Sequence, residues 1–259
     1  MEASENRPQS RSEGQRQRHY IAQVEENLKQ RYVMKKCVNL LVSVVIALLG
    51  ATSVFYIFLS DGDGVLTFRW MTVDGTLFTS AIALVFIAVS LHEIVFYTEL
   101  TSRWVYFMRL ASAVAESLIL VVVLLSQLPV FEEHMHIFRY DMFNMHILIP
   151  LLTVFSFLVN DPPVGKLTLR QHLHGLWFVS LYAVVILALI LSGAVPQQQI
   201  PYFFLDIRNM PVSLFLLSFV VIYGLSYLFS CLLSRWNRKL SWLWFQNITA
   251  GRHLAGQNQ

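Results

Sequence analysis

The chain has 259 residues, 56% hydrophobic and 14% charged, and its 19 Lys and Arg against 16 Asp and Glu give a formal net charge of +3. A mean hydropathy of +0.55 is too apolar for a water-soluble domain of this size, and so small a positive excess gives no support to nucleic-acid binding. The two cysteines supply neither a disulfide framework nor a thiolate metal site.

Residues 1–19 are Pro, Ser, Gln, Glu and Arg with almost no apolar side chain, a composition that predicts no packed fold. From His19 to Lys36 the apolar Ile21, Val24, Leu28 and Tyr32 recur at helical spacing among basic residues. That pattern predicts a juxtamembrane helix suited to anionic headgroups, or a solvated extension of the first span. Six apolar stretches follow, at Cys37–Leu59, Thr76–Tyr97, Trp104–Leu128, Met142–Asn160, Leu173–Ser192 and Pro211–Leu233. Each is near the ~20 residues a helix needs to cross ~30 Å of hydrocarbon. Beyond them, residues 235–259 interleave Trp236, Trp242, Trp244 and Phe245 with Arg238 and Lys239, as in a segment lying in the membrane interface. Only helices satisfy every backbone group inside a bilayer as open segments, so the predicted fold is all-α. It is a polytopic six-helix bundle over residues 37–234, between two tails.

Orientation follows from the cations. With the N-terminus inside, all but four of the 19 Lys and Arg fall on the cytoplasmic side. The exceptions are Arg69, Arg139 and Arg208 outside and Arg109 within the third span, so both termini are expected in the cytoplasm of a multi-pass cell-membrane protein. The long polar stretch before the first span argues against a cleaved signal peptide. The Asn247-Ile248-Thr249 acceptor pattern falls on the predicted cytoplasmic side and is discounted.

Ionisable groups at membrane depth are costly and mark function, so the polar residues in and beside the spans are the candidates. Thr72 lies at the outer mouth of the second span, and His146 lies roughly 6 Å into the fourth at 1.5 Å per residue. Both helices run inward, which allows the two residues to share a level. Arg69, Asp74, Asp141, Tyr202 and Asp206 fall near the same surface. A threonine hydroxyl needs a neighbouring base to become a nucleophile, and a neutral His suits that task. The competing account is a helix cap at Thr72 and an interhelical hydrogen bond at His146.

Three other groups invite rival readings. Arg109 and Glu116 share a face of the third span but stand ~10 Å apart, so no direct ion pair is assured. Arg109 is expected to snorkel toward the cytoplasm, while Glu116 is expected to be protonated or hydrogen-bonded within the bundle, as a proton-relay group, a substrate group or polar glue. Glu132, Glu133, His134 and His136 form an outer-loop cluster that is expected to be solvated, and no metal site is assigned to it. His92, Glu93, His172 and His174 share a cytoplasmic level, as a proton path would, but ordinary interface-facing side chains account for them better.

Three short motifs carry a resemblance: Phe68-Arg69-Trp70-Met71-Thr72 leading into a span, His146-Ile147-Leu148-Ile149-Pro150 opening another, and Pro201-Tyr202-Phe203-Phe204-Leu205-Asp206 before the last. Over residues 37–234 the chain resembles the androgen-induced protein family, which includes the androgen-dependent regulator of tissue factor pathway inhibitor. It is similar too to that family's bacterial integral membrane relatives, which share an Asp-Pro-containing turn like Asn160-Asp161-Pro162. The resemblance implies a six-helix intramembrane hydrolase acting on fatty acid esters of hydroxy fatty acids. Its threonine nucleophile and histidine match Thr72 and His146. Arg69 would stabilise the oxyanion, with Asp74, Glu116, Tyr202 and Asp206 as further substrate-binding candidates. The implied partners are membrane lipids and a lipid ester substrate.

No P-loop, dinucleotide fingerprint, nucleophile elbow or zincin helix occurs, so no cofactor is expected. The alternatives are a small-molecule or lipid transporter and a noncatalytic lipid-binding membrane protein. Transporters commonly show internal repeats and broken spans; here no repeat is evident, and Pro150 is the one residue expected to kink a span.

Overall fold

The structure, a computed structural model, describes residues 8–257 except 61, 97, 99, 128–137 and 162; the side chains of 8–18, 24, 25, 28, 31, 126, 127 and 242–257 are also outside the description. Its helices are α1 (Pro8–Ser60), α2 (Met71–Phe96), α3 (Arg103–Val122, continued by a π-helical turn Val123–Gln127), α4 (Tyr140–Val159), α5 (Leu169–Leu191) and α6 (Val212–Gln257). Six helices long and apolar enough to span a bilayer, and no strand among the described residues, make this an all-helical multi-pass membrane protein. Six crossings return the chain to the side it started from. That side is called the terminal face below, and the opposite one the distal face.

The helix boundaries differ from the hydropathy pattern in two places. Residues 8–19 are helical, because Gln, Arg and Glu propagate a helix well once the apolar span has nucleated it. Helix α2 starts at Met71, five residues before the predicted span, which puts Thr72 inside the first turn. The chain reverses after α1 through Gly62 and Gly64, whose φ of 69° and 55° suit glycine, and a 3-10 turn over Gly64–Arg69 then delivers it to α2. The C-terminal interfacial side chains from Trp242 onward, and the Glu132–His136 cluster, lie outside the described residues.

Helix α3 is the axis of the bundle, with 67% of its apolar window buried, whereas α6 is peripheral at 6%. Ala111, Ser112, Ala113 and Ala115 let neighbours approach α3 closely, and Leu110 and Val114 pack against Phe157 of α4 and Leu233 of α6. Gly50 of α1 faces Thr76 and Ser80 of α2 so tightly that a Cβ there would overlap the Ser80 hydroxyl. Gly50→Leu is therefore expected to destabilise the bundle by about 1–3 kcal/mol through overpacking. Gly224→Leu, at a site with nothing within 4 Å of its Cβ, should leave the thermal midpoint in detergent unchanged. Equal midpoints for both variants would contradict this packing.

A buried polar clasp fastens the terminal half. Arg109 is 1% exposed and, contrary to expectation, does not snorkel. Its Nε donates to Asp161 Oδ2 at 2.9 Å and its Nη2 to Ser156 Oγ at 2.9 Å. Ser156 donates to Asn39 Oδ1 (2.9 Å), and Asn237 Nδ2 donates to the carbonyls of Phe157 (2.8 Å) and Asp161 (2.9 Å). The guanidinium also lies 4.8 Å from the Phe86 ring centroid. The clasp thus draws on α1, α3, α6 and the end of α4, and it gives the buried guanidinium a matching carboxylate. Nearby, Glu93 pairs with Lys36 and accepts from the Leu100 and Thr101 amides at 2.9 Å, which fixes the turn between α2 and α3.

Candidate functional site

On the distal face a cavity of about 100 Å³ lies among α2, α3, α5, α6 and the α5–α6 loop. Leu118, Ile119, Val122 and Val123 of α3, Val179, Ala183 and Ile186 of α5, and Phe219 and Ile222 of α6 make its walls apolar. Thr72, Tyr182, Tyr202 and Tyr223 also line it. A largely apolar hollow of this kind suits an apolar, chain-like ligand. Because α6 packs weakly, the wall it forms is the thinnest part of the enclosure.

Two tyrosines fix the start of α2. Tyr182 donates to the Arg69 carbonyl at 2.6 Å, and the Tyr202 oxygen accepts from the Met71 amide at 3.2 Å. The Thr72 side chain lies near the same phenol. Tyr202 is held edge-on to Trp70 (5.8 Å between centroids) and stacked on Phe204 (5.3 Å). Burial, together with the charge of Asp74, pushes the phenol up to about 12 despite the hydrogen bond from Met71 and the nearby Thr72 side chain. Tyr202 is therefore a neutral donor across the ordinary pH range and not a base. Tyr182 was not singled out in the sequence, since a lone Tyr inside an apolar span carries no distinguishing signal.

His146 sits on a π-helical turn, Asn144–Leu148, whose cause is local. Pro150 has no amide hydrogen and crowds the carbonyl four residues earlier, that of His146 itself, so the helix widens ahead of the proline. His146 is 5% exposed, and its Nδ1 lies 2.9 Å from the Met142 carbonyl. A carbonyl only accepts, so Nδ1 carries the hydrogen and Nε2 keeps the lone pair. Val73 and Met145, next in sequence to Thr72 and His146, pack together with Val54 and Ile57. The two candidates thus occupy adjoining turns of α2 and α4. Among the described residues no hydrogen bond joins them, and the Tyr202 phenol lies near Thr72.

The remaining candidates separate. The Arg69 guanidinium is occupied by Asp63 (2.7 Å) and the Leu66 carbonyl (3.0 Å), which organise the loop before α2 and leave it poorly placed to meet an oxyanion at Thr72. Asp74 lies close enough to Tyr202 to act on it electrostatically. Asp141 holds Arg139 at 2.6 Å. Glu116 is fully buried in α3 and does not line the cavity. On the terminal side, His172 contacts Ser234 and Tyr227, whereas His174 stacks on Phe107 beside Trp104, and among the described residues no hydrogen bond links His92, Glu93, His172 and His174 to one another.

Asp206 is a loop organiser. It accepts from Gln197 Nε2 (2.6 Å) and from the Asn209 side chain (3.0 Å), closing the loop that brings Tyr202 to Met71. The Asn209 side chain, then Gln197, hold this carboxyl below its ordinary value. With a depressed folded pKa, the closure contributes fully above the ordinary carboxylate range and is lost as pH falls through the folded value. Amide hydrogen exchange over residues 197–209 should accelerate on such acidification; exchange that stays constant would contradict this role.

The chain matches no known protein family, no curated protein and no solved structure.

Proposed function

We propose that this multi-pass membrane protein binds the acyl chain of a lipid ester in the distal cavity and cleaves the ester at Thr72, in the manner of the androgen-induced protein family it resembles. The observation that carries the reading is the position of Thr72, at the start of a 26-residue helix and among the residues that line an apolar cavity. The lipid enters sideways past the weakly packed α6, chain first, so that its ester comes to rest beside the Tyr202 phenol.

As a hypothesis for the chemistry, the Thr72 hydroxyl turns from Tyr202 to the His146 Nε2 as the ester settles. Its Oγ1 attacks the carbonyl carbon and its proton passes to Nε2. The N-terminal amides of α2, which lack intrahelical acceptors, and the phenolic hydrogen of Tyr202 receive the oxyanion. The C–O bond to the alcohol breaks as His146 returns the proton to the leaving oxygen. Water then attacks the acyl-threonine, gives its proton to His146, and releases the fatty acid with the threonine restored. Orientation with both termini in the cytoplasm, and residence in the cell membrane, belong to the same proposal and rest on the distribution of Lys and Arg.

The test is ester release by the purified protein in detergent, measured on a panel of acyl and hydroxy-acyl lipids. Release of fatty acid from a long-chain ester is expected; its absence from folded protein would overturn the reading. The second reading, noncatalytic lipid binding, is favoured by the lack, among the described residues, of a hydrogen bond from Thr72 to His146, and it predicts retention of the ester intact.

A further inference from the structure

One buried titratable group plays no part in that chemistry. Glu116 has 0% exposure, and neither carboxyl oxygen has a partner at hydrogen-bond distance. It faces the interface of α2 and α3. Gly75 of α2 approaches Ile119 of α3 so closely that a Cβ would come within 2.7 Å of Ile119 Cδ1. One turn deeper on each helix this register reaches Thr79 and Glu116, and the Thr79 hydroxyl is near enough to act on the carboxyl. Ser112 in turn donates to Thr79 Oγ1 at 3.0 Å, which leaves the Thr79 hydrogen free to point onward to Glu116.

A carboxylate in such a place requires a cation, and four described cations of the bundle are paired with other acids. Arg109, two turns away, is held by Asp161, Lys36 by Glu93, Arg69 by Asp63 and Arg139 by Asp141. The nearest acid up α2, Asp74, has the wrong sign. The His146 ring is committed through Nδ1 to Met142 on α4. An isolated charge buried without a partner is so costly that the group takes up a proton instead. Beneath it the hydroxyls of Thr79 and Ser112 form a short donor chain toward the level of the Arg109 clasp. Such a chain passes a proton by each oxygen accepting one hydrogen while releasing another.

We propose that Glu116 is a proton-binding site at membrane depth, a neutral carboxylic acid that exchanges its proton along the hydroxyls of Thr79 and Ser112. This does not depend on ester cleavage, so it stands or falls apart from the hydrolase reading.

The test is infrared difference spectroscopy of the full chain at neutral pH, parent minus Glu116→Gln, in water and in heavy water. The expected result is a carboxylic acid carbonyl band that shifts in heavy water and is lost in the variant; carboxylate bands in its place would overturn the proposal. Thr79→Val and Ser112→Ala should each slow the shift of that band after transfer to heavy water severalfold, and an unchanged rate would refute the hydroxyl path. If Glu116→Gln does not fold, labelling of the parent by dicyclohexylcarbodiimide decides the matter, because this apolar reagent adds to a protonated carboxyl. Modification of Glu116, located by peptide mass, is expected, and its absence while other carboxyls react would count against the site.

Discussion

Asp161→Ala is expected to destabilise the folded bundle by about 3–5 kcal/mol, the range for breaking a buried ion pair from one side. The substitution leaves the Arg109 guanidinium, at 1% exposure, without its anion, and removes an acceptor near Asn39 and the anchor of the α4 end. Arg109→Ala should cost a similar amount by stranding Asp161. Replacing both together by leucine should cost less than the two single changes summed, because each charge is then removed with its match. Thermal unfolding in a mild detergent, followed by circular dichroism, measures all three. Single variants within about 0.5 kcal/mol of the parent would show that the clasp is not a structural element, since that is the scatter of neutral surface changes.

Thr72→Ala is expected to lower kcat for lipid-ester cleavage by about three orders of magnitude or more, the scale at which removal of a nucleophile leaves only binding and oxyanion stabilisation. Thr72→Ser keeps the hydroxyl and should retain measurable turnover. His146→Ala should fall with Thr72→Ala, and the two together should be no worse than either alone, because nucleophile and base act as a unit. Tyr202→Phe keeps the ring packing against Trp70 and Phe204 but removes the hydrogen bond to Met71 and the phenolic hydroxyl beside Thr72, and is expected to reduce kcat more than it raises KM. Full activity in Thr72→Ala would place the chemistry elsewhere.

The membrane fold was legible because hydrocarbon imposes a single requirement, about 20 apolar residues per crossing, that hydropathy reads directly. The start of α2 was less so. Thr72, Asp74 and Gly75 look like loop by composition, yet they belong to the helix because the glycine reversal and the 3-10 turn before it set the chain into helical geometry at Met71. Arg109 was misread for a related reason. Depth in a span fixes how far a cation must reach for water, but not whether an acid 52 residues away in sequence stands beside it. The same limit applies at the site. Threading placed Thr72, His146 and Tyr202 near one surface, and the structure leaves Thr72 without a hydrogen bond to His146 among the described residues because rotation about the helix axes, set by packing of Val73 on Met145, decides which side chains meet. The cavity left no mark in the sequence, since its walls are ordinary apolar residues drawn from separate helices.

The most direct test of the central claim is to trap the acyl-enzyme. The purified protein is mixed briefly with an activated long-chain ester, quenched in acid, and digested for mass spectrometry of the peptide containing Thr72. An acyl group on Thr72 that is strongly reduced in His146→Ala and missing from Thr72→Ala is the predicted result. Ester turnover with no adduct on Thr72, undiminished in Thr72→Ala, would contradict it.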